Sequence, residues 1–349
     1  MRLQLVHANR HIIWERILNN GTALAISPRY ASATIDLALN PGETLSALLL
    51  TSSARIKVVE FTSTCTSRAE WALTLTQHML PAIIARLPHA RHFVLYKMSQ
   101  RFQFTLLHAA HRQITTLELH NSVFRSFGYT MRQVSLESLE TLLLFDDSSS
   151  SLDFLTRVVM FLDAPYLTTL TIGNCLSGNS LAIRDTVRAF SRKLTNLHLL
   201  DQIRPTDEDA SEGTALPPLA LLRNLELEAS WAGLYLSATG ASFPSLHSLV
   251  LHSPPEHIMA GLPGFDWVMF RDGLLPIASH LKTLECCYRA HDHHLRDSFR
   301  DLVAERLAAL GPPLPDDLTI IEGLRDPLPT SPPTQESIAV STTWDAWEG

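Results

Sequence analysis

The sequence predicts an α/β solenoid, with parallel strands stacked along one face and helices along the other. Three observations predict it: a six-residue pattern L-x-x-L-x-L recurs down the chain, its copies keep phase, and several segments between copies carry helical periodicity. The clearest copy is LTTLTIGNC at 167–175. A short strand there turns Leu170 and Ile172 to one side and Thr169, Thr171 and Gly173 to the other, with Leu167 tucked in before it. One such segment cannot bury its apolar face alone, so it needs copies on either side.

The cores read IKVVEF from Ile56, ARHFVL from Ala90, ITTLEL from Ile114, LETLLL from Leu139, LTTLTI from Leu167, LTNLHL from Leu194, LRNLEL from Leu222, LHSLVL from Leu246 and LKTLEC from Leu281. Their fourth positions are 59, 93, 117, 142, 170, 197, 225, 249 and 284, so the spacings are 34, 24, 25, 28, 27, 28, 24 and 35. Most fall in the range of roughly 20–29 residues typical of a leucine-rich repeat, and the two long ones leave room for an enlarged helix. The expectation is a leucine-rich-repeat horseshoe of about nine irregular repeats over 51–324, strands on the concave face and helices on the convex face. Cys175 stands where that repeat carries Asn or Cys; other copies have Thr64, Ser122, Asp147 or Ser230 there, so no regular asparagine ladder is expected.

In chain order, residues 1–50 read as a separate opening piece. Leu5, Ile12, Ile13, Ile17 and Leu18 give a partial helical period, and the piece would cap the apolar end of the array. The segment 69–87 reads as a helix interrupted at Pro81. Amphipathic helices follow from Ser151, ending before Pro165, and from Ser180. Residues 201–218 are acidic and proline-rich, which predicts a surface loop, and 252–280 stretch the repeat into a second projecting excursion. A terminal helix is expected over 295–310, with Leu295, Phe299, Leu302, Val303 and Leu307 on one face and Pro312 and Pro313 beyond it. An apolar piece at 318–324 suggests a last edge strand, and 325–349 reads as a disordered Pro/Ser/Thr-rich tail containing Trp344 and Trp347.

The balance of 46% hydrophobic to 18% charged residues is that of a globular chain. A net charge of −7 argues against a nucleic-acid or anionic-membrane binder, which would need a basic face. No apolar run is long enough for a membrane span, and 1–18 does not read as a secretory signal. The four cysteines lack disulfide-framework spacing, so the expected location is intracellular, cytoplasmic or nuclear.

No nucleophile elbow, phosphate loop, dinucleotide fingerprint or zincin motif occurs, so no enzyme and no cofactor is expected. CCYRAHDHH, with Cys286, Cys287, His291, His293 and His294, is the one metal-like cluster. Its spacing matches no zinc frame and Cys286 falls on an inward strand position, so a polar turn with one buried thiol is the preferred reading. The informative surface is the concave one, built from the third, fifth and seventh core positions. The candidate partner-binding residues there are His92, Tyr96, Thr116, Glu118, His120, Thr141, Phe145, Thr169, Thr171, Asn196, His198, Asn224, Glu226 and Glu228. They make a polar ribbon, interrupted by Tyr96, Phe145 and Leu200, fitted to a protein partner and nearly free of Lys and Arg.

The L-x-x-L-x-L ladder, Cys175, and the phrases SARIKVVEFTS and FPSLHSLVLHS resemble the repeat region of fungal, basidiomycete-type F-box-like leucine-rich-repeat proteins, over roughly 45–322. The resemblance implies a substrate-recognition subunit that offers its repeats to a target and an F-box to the adaptor of a cullin-type ubiquitin ligase. Here the adaptor would meet residues 1–50, although they contain nothing like the L-P-x-E-[IV]-L opening of an F-box. The alternatives are an interaction scaffold unrelated to ubiquitin, and a metal-binding protein using the 286–294 cluster.

Overall fold

The computed structural model describes residues 2–4, 32–36, 57–62, 81, 84–85, 87–96, 100–120, 133–145, 151–173, 180–200, 215–236, 243–252, 266–289, 296–310, 315 and 317–325. In chain order the strands are β1 (Arg2–Gln4), β2 (Ser32–Asp36), β3 (Val58–Thr62), β4 (His92–Tyr96), β5 (Thr116–His120), β6 (Val134–Ser135) and β7 (Thr141–Phe145). There follow β8 (Leu162–Asp163), β9 (Thr169–Gly173), β10 (Asn196–Leu200), β11 (Asn224–Glu228), β12 (Ser248–His252), β13 (Thr283–Arg289) and β14 (Thr319–Arg325). Twelve form one sheet in the order β1-β2-β3-β4-β5-β7-β9-β10-β11-β12-β13-β14, while β6 and β8 pair separately. Every pairing is parallel.

The register is one straight row after another. Val58, His92, Thr116, Thr141, Thr169, Asn196, Asn224, Ser248, Thr283 and Thr319 align, and Val59, Phe93, Leu117, Leu142, Leu170, Leu197, Leu225, Leu249, Leu284 and Ile320 form the next row. The chain is therefore α/β and solenoid-like, the strands of the long sheet following one another in sequence order apart from β6 and β8. Strand entry repeats too. The second-position carbonyls of Lys57, Arg91, Thr115, Glu140, Thr168, Thr195, Arg223 and His247 each accept two N–H groups from the next copy. This satisfies buried backbone where the chain turns into each strand.

Two strands precede the expected start. Ser32 and Ala33 fall into register with Val58 and Val59, and Arg2 and Leu3 with Ser32 and Ala33. Within 1–50, the described residues 2–4 and 32–36 thus extend the sheet; the rest of this piece, expected to cap the array, lies outside the described residues. The polar–apolar alternation of SATID suits a strand, although it lacks the leucines of the other copies. The helix expected around Ile12 and Ile17 lies outside the described residues.

The helices are α1 (Gln100–Ala110), α2 (Ser151–Phe161), α3 (Ser180–Ala189), α4 (Ala229–Leu236), α5 (Trp267–Ala278) and α6 (Arg296–Ala309). Their buried positions keep helical spacing: Phe154, Leu155, Val158 and Phe161 in α2, Phe270, Leu274 and Ile277 in α5, Phe299, Val303 and Leu307 in α6. They join the inward strand residues in one continuous core. Four expectations meet the structure here. Helices α2, α3 and α6 fall where the sequence places them, and 318–324 becomes β14. Helix α1 was not anticipated. The stretch 252–280, expected to project, contains α5, which packs against α4, while 253–265 lie outside the described residues. Asp266 caps α5 by accepting from the Met269 amide at 2.8 Å. At the end of the expected acidic loop, Leu216 and Pro217 are buried and the Leu216 amide donates to the Tyr235 carbonyl. Residues 201–214 and 326–349 lie outside the described residues. Among the described residues no helix is long and apolar enough to cross a membrane.

Candidate interaction face

Period-two alternation gives the sheet one face packed under helices and one that is open. The fourth and sixth core positions are buried, whereas the third and most of the fifth remain partly exposed. Along the third positions, Asn224 donates from Nδ2 to Asn196 Oδ1 at 2.6 Å, and Asn196 donates to Thr169 Oγ1 at 3.1 Å. Thr116, Thr141, Asn196 and Asn224 are all solvent-accessible. This part of the expected ribbon is assembled as a polar, largely hydrogen-bonded strip.

The seventh positions differ from expectation. They share the face of the fifth positions, yet they are buried: His120 is 4% exposed, Phe145 2%, Leu200 3%, Glu228 6% and His252 2%. The cause is lateral packing across adjacent strands, which lie only about 4.8 Å apart. His120 stacks on Phe145 with centroids 4.7 Å apart, and Phe145 in turn lies over Gly173, where an added Cβ would sit 2.8 Å from the ring. Thr171 is buried as well. Phe145, His120, Leu200, Glu228 and Thr171 therefore support the face rather than presenting contact area. The side chain of Tyr96 lies outside the described residues.

Two carboxylates organise the fifth row. Glu118 accepts from His92 Nε2 at 3.0 Å and from His120 Nε2 at 3.1 Å, one on each oxygen. Glu226 accepts from His198 Nδ1 and His252 Nε2 in the same manner. An ionised carboxylate only accepts, so the imidazole nitrogens facing it carry the protons. Burial opposes ionisation of Glu118, but the hydrogen bonds and charges of His120 and His92 outweigh it and hold the carboxyl at about 2, below its ordinary 4.5. Glu226 is lowered still further, its two histidines again overcoming burial. Glu285 lies on the same row, accepting from the Cys287 thiol at 3.5 Å. Sequence reasoning left His252 and Glu285 out of the candidate set; their signal was the fifth- or seventh-position placement alone.

Cys286 and Cys287 are buried free thiols. Burial pushes the Cys286 thiol up to about 12, and Cys287 is raised by burial and by the neighbouring Glu285 charge. Both stay protonated at neutral pH, which suits packing and not nucleophilic attack. His291, His293 and His294 lie outside the described residues, and among the described residues no group of three or more His, Cys, Asp or Glu is arranged to hold a metal ion. No protein-family model matches the chain, and a search of curated proteins returns no match.

Proposed function

We propose that the chain is a leucine-rich-repeat horseshoe acting as a non-enzymatic protein-interaction module, with a protein partner held on the concave face. The observation that carries this reading is the row-by-row register of the long parallel sheet, whose third positions from His92 to Thr283 form a continuous, half-exposed polar strip. Such a strip offers many weak hydrogen-bonding positions over a length matched to a polypeptide. An intracellular setting, cytoplasmic or nuclear, fits buried thiols that make no disulfide. The test is affinity capture of the full chain from its native cells beside a Thr141→Arg/Asn224→Arg variant, both substitutions lying on accessible third positions. Loss of specific partners from the variant, with its thermal midpoint held within a few degrees, supports the reading; an unchanged set of partners overturns it.

The resemblance to F-box-like proteins extends the proposal to target recognition for a cullin-type ubiquitin ligase. The pairing of β1 and β2 into the sheet favours the plainer scaffold reading, because it commits parts of 1–50 to the repeat stack. Recovery of a cullin and its adaptor in the same capture decides for the ligase role, and their absence beside other partners decides for the scaffold.

A further inference from the structure

The fifth row holds two carboxylate stations, each beside an aliphatic residue of the neighbouring strand. Glu118 pairs in register with Val94 on one side and Leu143 on the other. Glu226 pairs with Val250, which pairs with Glu285, so Val250 lies between two carboxylates. Leu143 and Val250 are half-exposed. Four strand steps separate Glu118 from Glu226, roughly 19 Å. No Lys or Arg occupies a third, fifth or seventh position from β3 to β13. The basic residues Lys57, Arg91, Arg223 and Lys282 stand instead at second positions, exposed at the strand entries.

We propose that this face takes a cationic polypeptide segment whose Lys or Arg side chains lie over Val250 and Leu143 with their charged ends at Glu226, Glu285 and Glu118. The inference rests on the concave-face reading above and names the chemistry of the partner. Lys and Arg have an aliphatic stem and a charged tip, which is the complement of an aliphatic residue flanked by carboxylates. The histidines leave room for it: each carboxylate oxygen of Glu118 and Glu226 receives one imidazole N–H, and an ionised carboxylate has about four acceptor positions. Both carboxyls stay ionised across the physiological range, held so by their histidine partners. The exposed cations at the strand entries repel a basic segment from that rim and centre it on the fifth row.

The test uses the full chain and three fluorescent peptides of equal length, alternating Gly with Lys, Gln or Glu, read by anisotropy. The Lys peptide is expected to bind about tenfold or more tighter than the Gln peptide at about 0.1 M salt, and to lose that advantage near 1 M. Val250→Lys, which places a cation between Glu226 and Glu285 without touching the core, is expected to weaken it about tenfold with an unchanged thermal midpoint. Glu226→Gln serves as a second variant with the same expected direction. Equal binding of the Lys and Gln peptides, or indifference to Val250→Lys, overturns the cation inference. If the Gln or Glu peptide binds and Asn224→Arg abolishes it, the concave-face reading survives that failure; if no peptide binds, the inference falls and partner capture alone judges the parent reading.

Discussion

At the scale of single residues, two kinds of position decide the open face: the carboxylates that charge it and the glycines that let it close. Glu118 is held ionised by His92 and His120, so its folded-state pKa lies below its unfolded one. Its contribution to stability is therefore complete above about pH 4.5 and is lost as pH falls toward about 2. Glu118→Gln should cost about 1–3 kcal/mol at neutral pH, and the gap from wild type should narrow steadily below pH 4.5 in urea titrations. A constant gap down to the lowest pH would contradict the imidazole clasp. Gly173 is the second case. The Phe145 ring lies over it, backed on its other side by His120, so Gly173→Ala should cost about 1–3 kcal/mol, and Phe145→Leu should relieve much of that cost in a double-mutant cycle. Leu170, fully buried at the centre of the sheet, should cost about 2–5 kcal/mol on truncation to Ala.

At the scale of elements, what was legible follows from how strongly each one carries its period. The fourth and sixth positions are Leu or Ile in most copies, and every expected strand from β3 onward is found in register. Strand β2 was missed because its fourth position is Ala33, and β1 because a three-residue strand carries too little pattern. Helix α5 was hidden by Pro263, Gly264 and Pro276, which read as loop punctuation; Pro276 stands inside the helix, three residues before the Ser279 cap. What that helix needs is close approach. A Cβ on Gly273 would meet the Leu236 backbone at 2.8 Å, so α4 and α5 touch at that glycine. Gly273→Val should destabilise by more than the Asp266→Ala loss of the helix cap, which is worth about 1 kcal/mol in thermal unfolding. The site was legible to a lesser degree. The parity of a strand tells which residues share a face, but not that seventh positions close over one another, since that depends on neighbours some 25 residues away in sequence such as His120, Phe145 and Gly173.

At the scale of the whole molecule, each strand meets only its two neighbours, so stability should behave as a sum of repeat and nearest-neighbour contributions. Strands β7, β9 and β10 have partners on both sides and lie mid-sheet, whereas β14 pairs on one side with β13 and has Ile321 exposed on its open face. Amide exchange should therefore be slowest at β7 to β11 and faster toward β14. The same argument fixes how damage spreads. Leu170→Ala removes a side chain that is packed between Leu142 and Leu197, so protection should fall on both flanks of β9. Leu284→Ala has only Leu249 and the terminal Ile320 beside it, so its effect should stay in β12, β13, β14 and the packed helix α6. Exchange monitored by mass spectrometry distinguishes this from a single all-or-none unit, in which either substitution would lower protection equally from β3 to β14. A local loss for Leu284→Ala together with a two-sided loss for Leu170→Ala is the outcome that a stacked array requires.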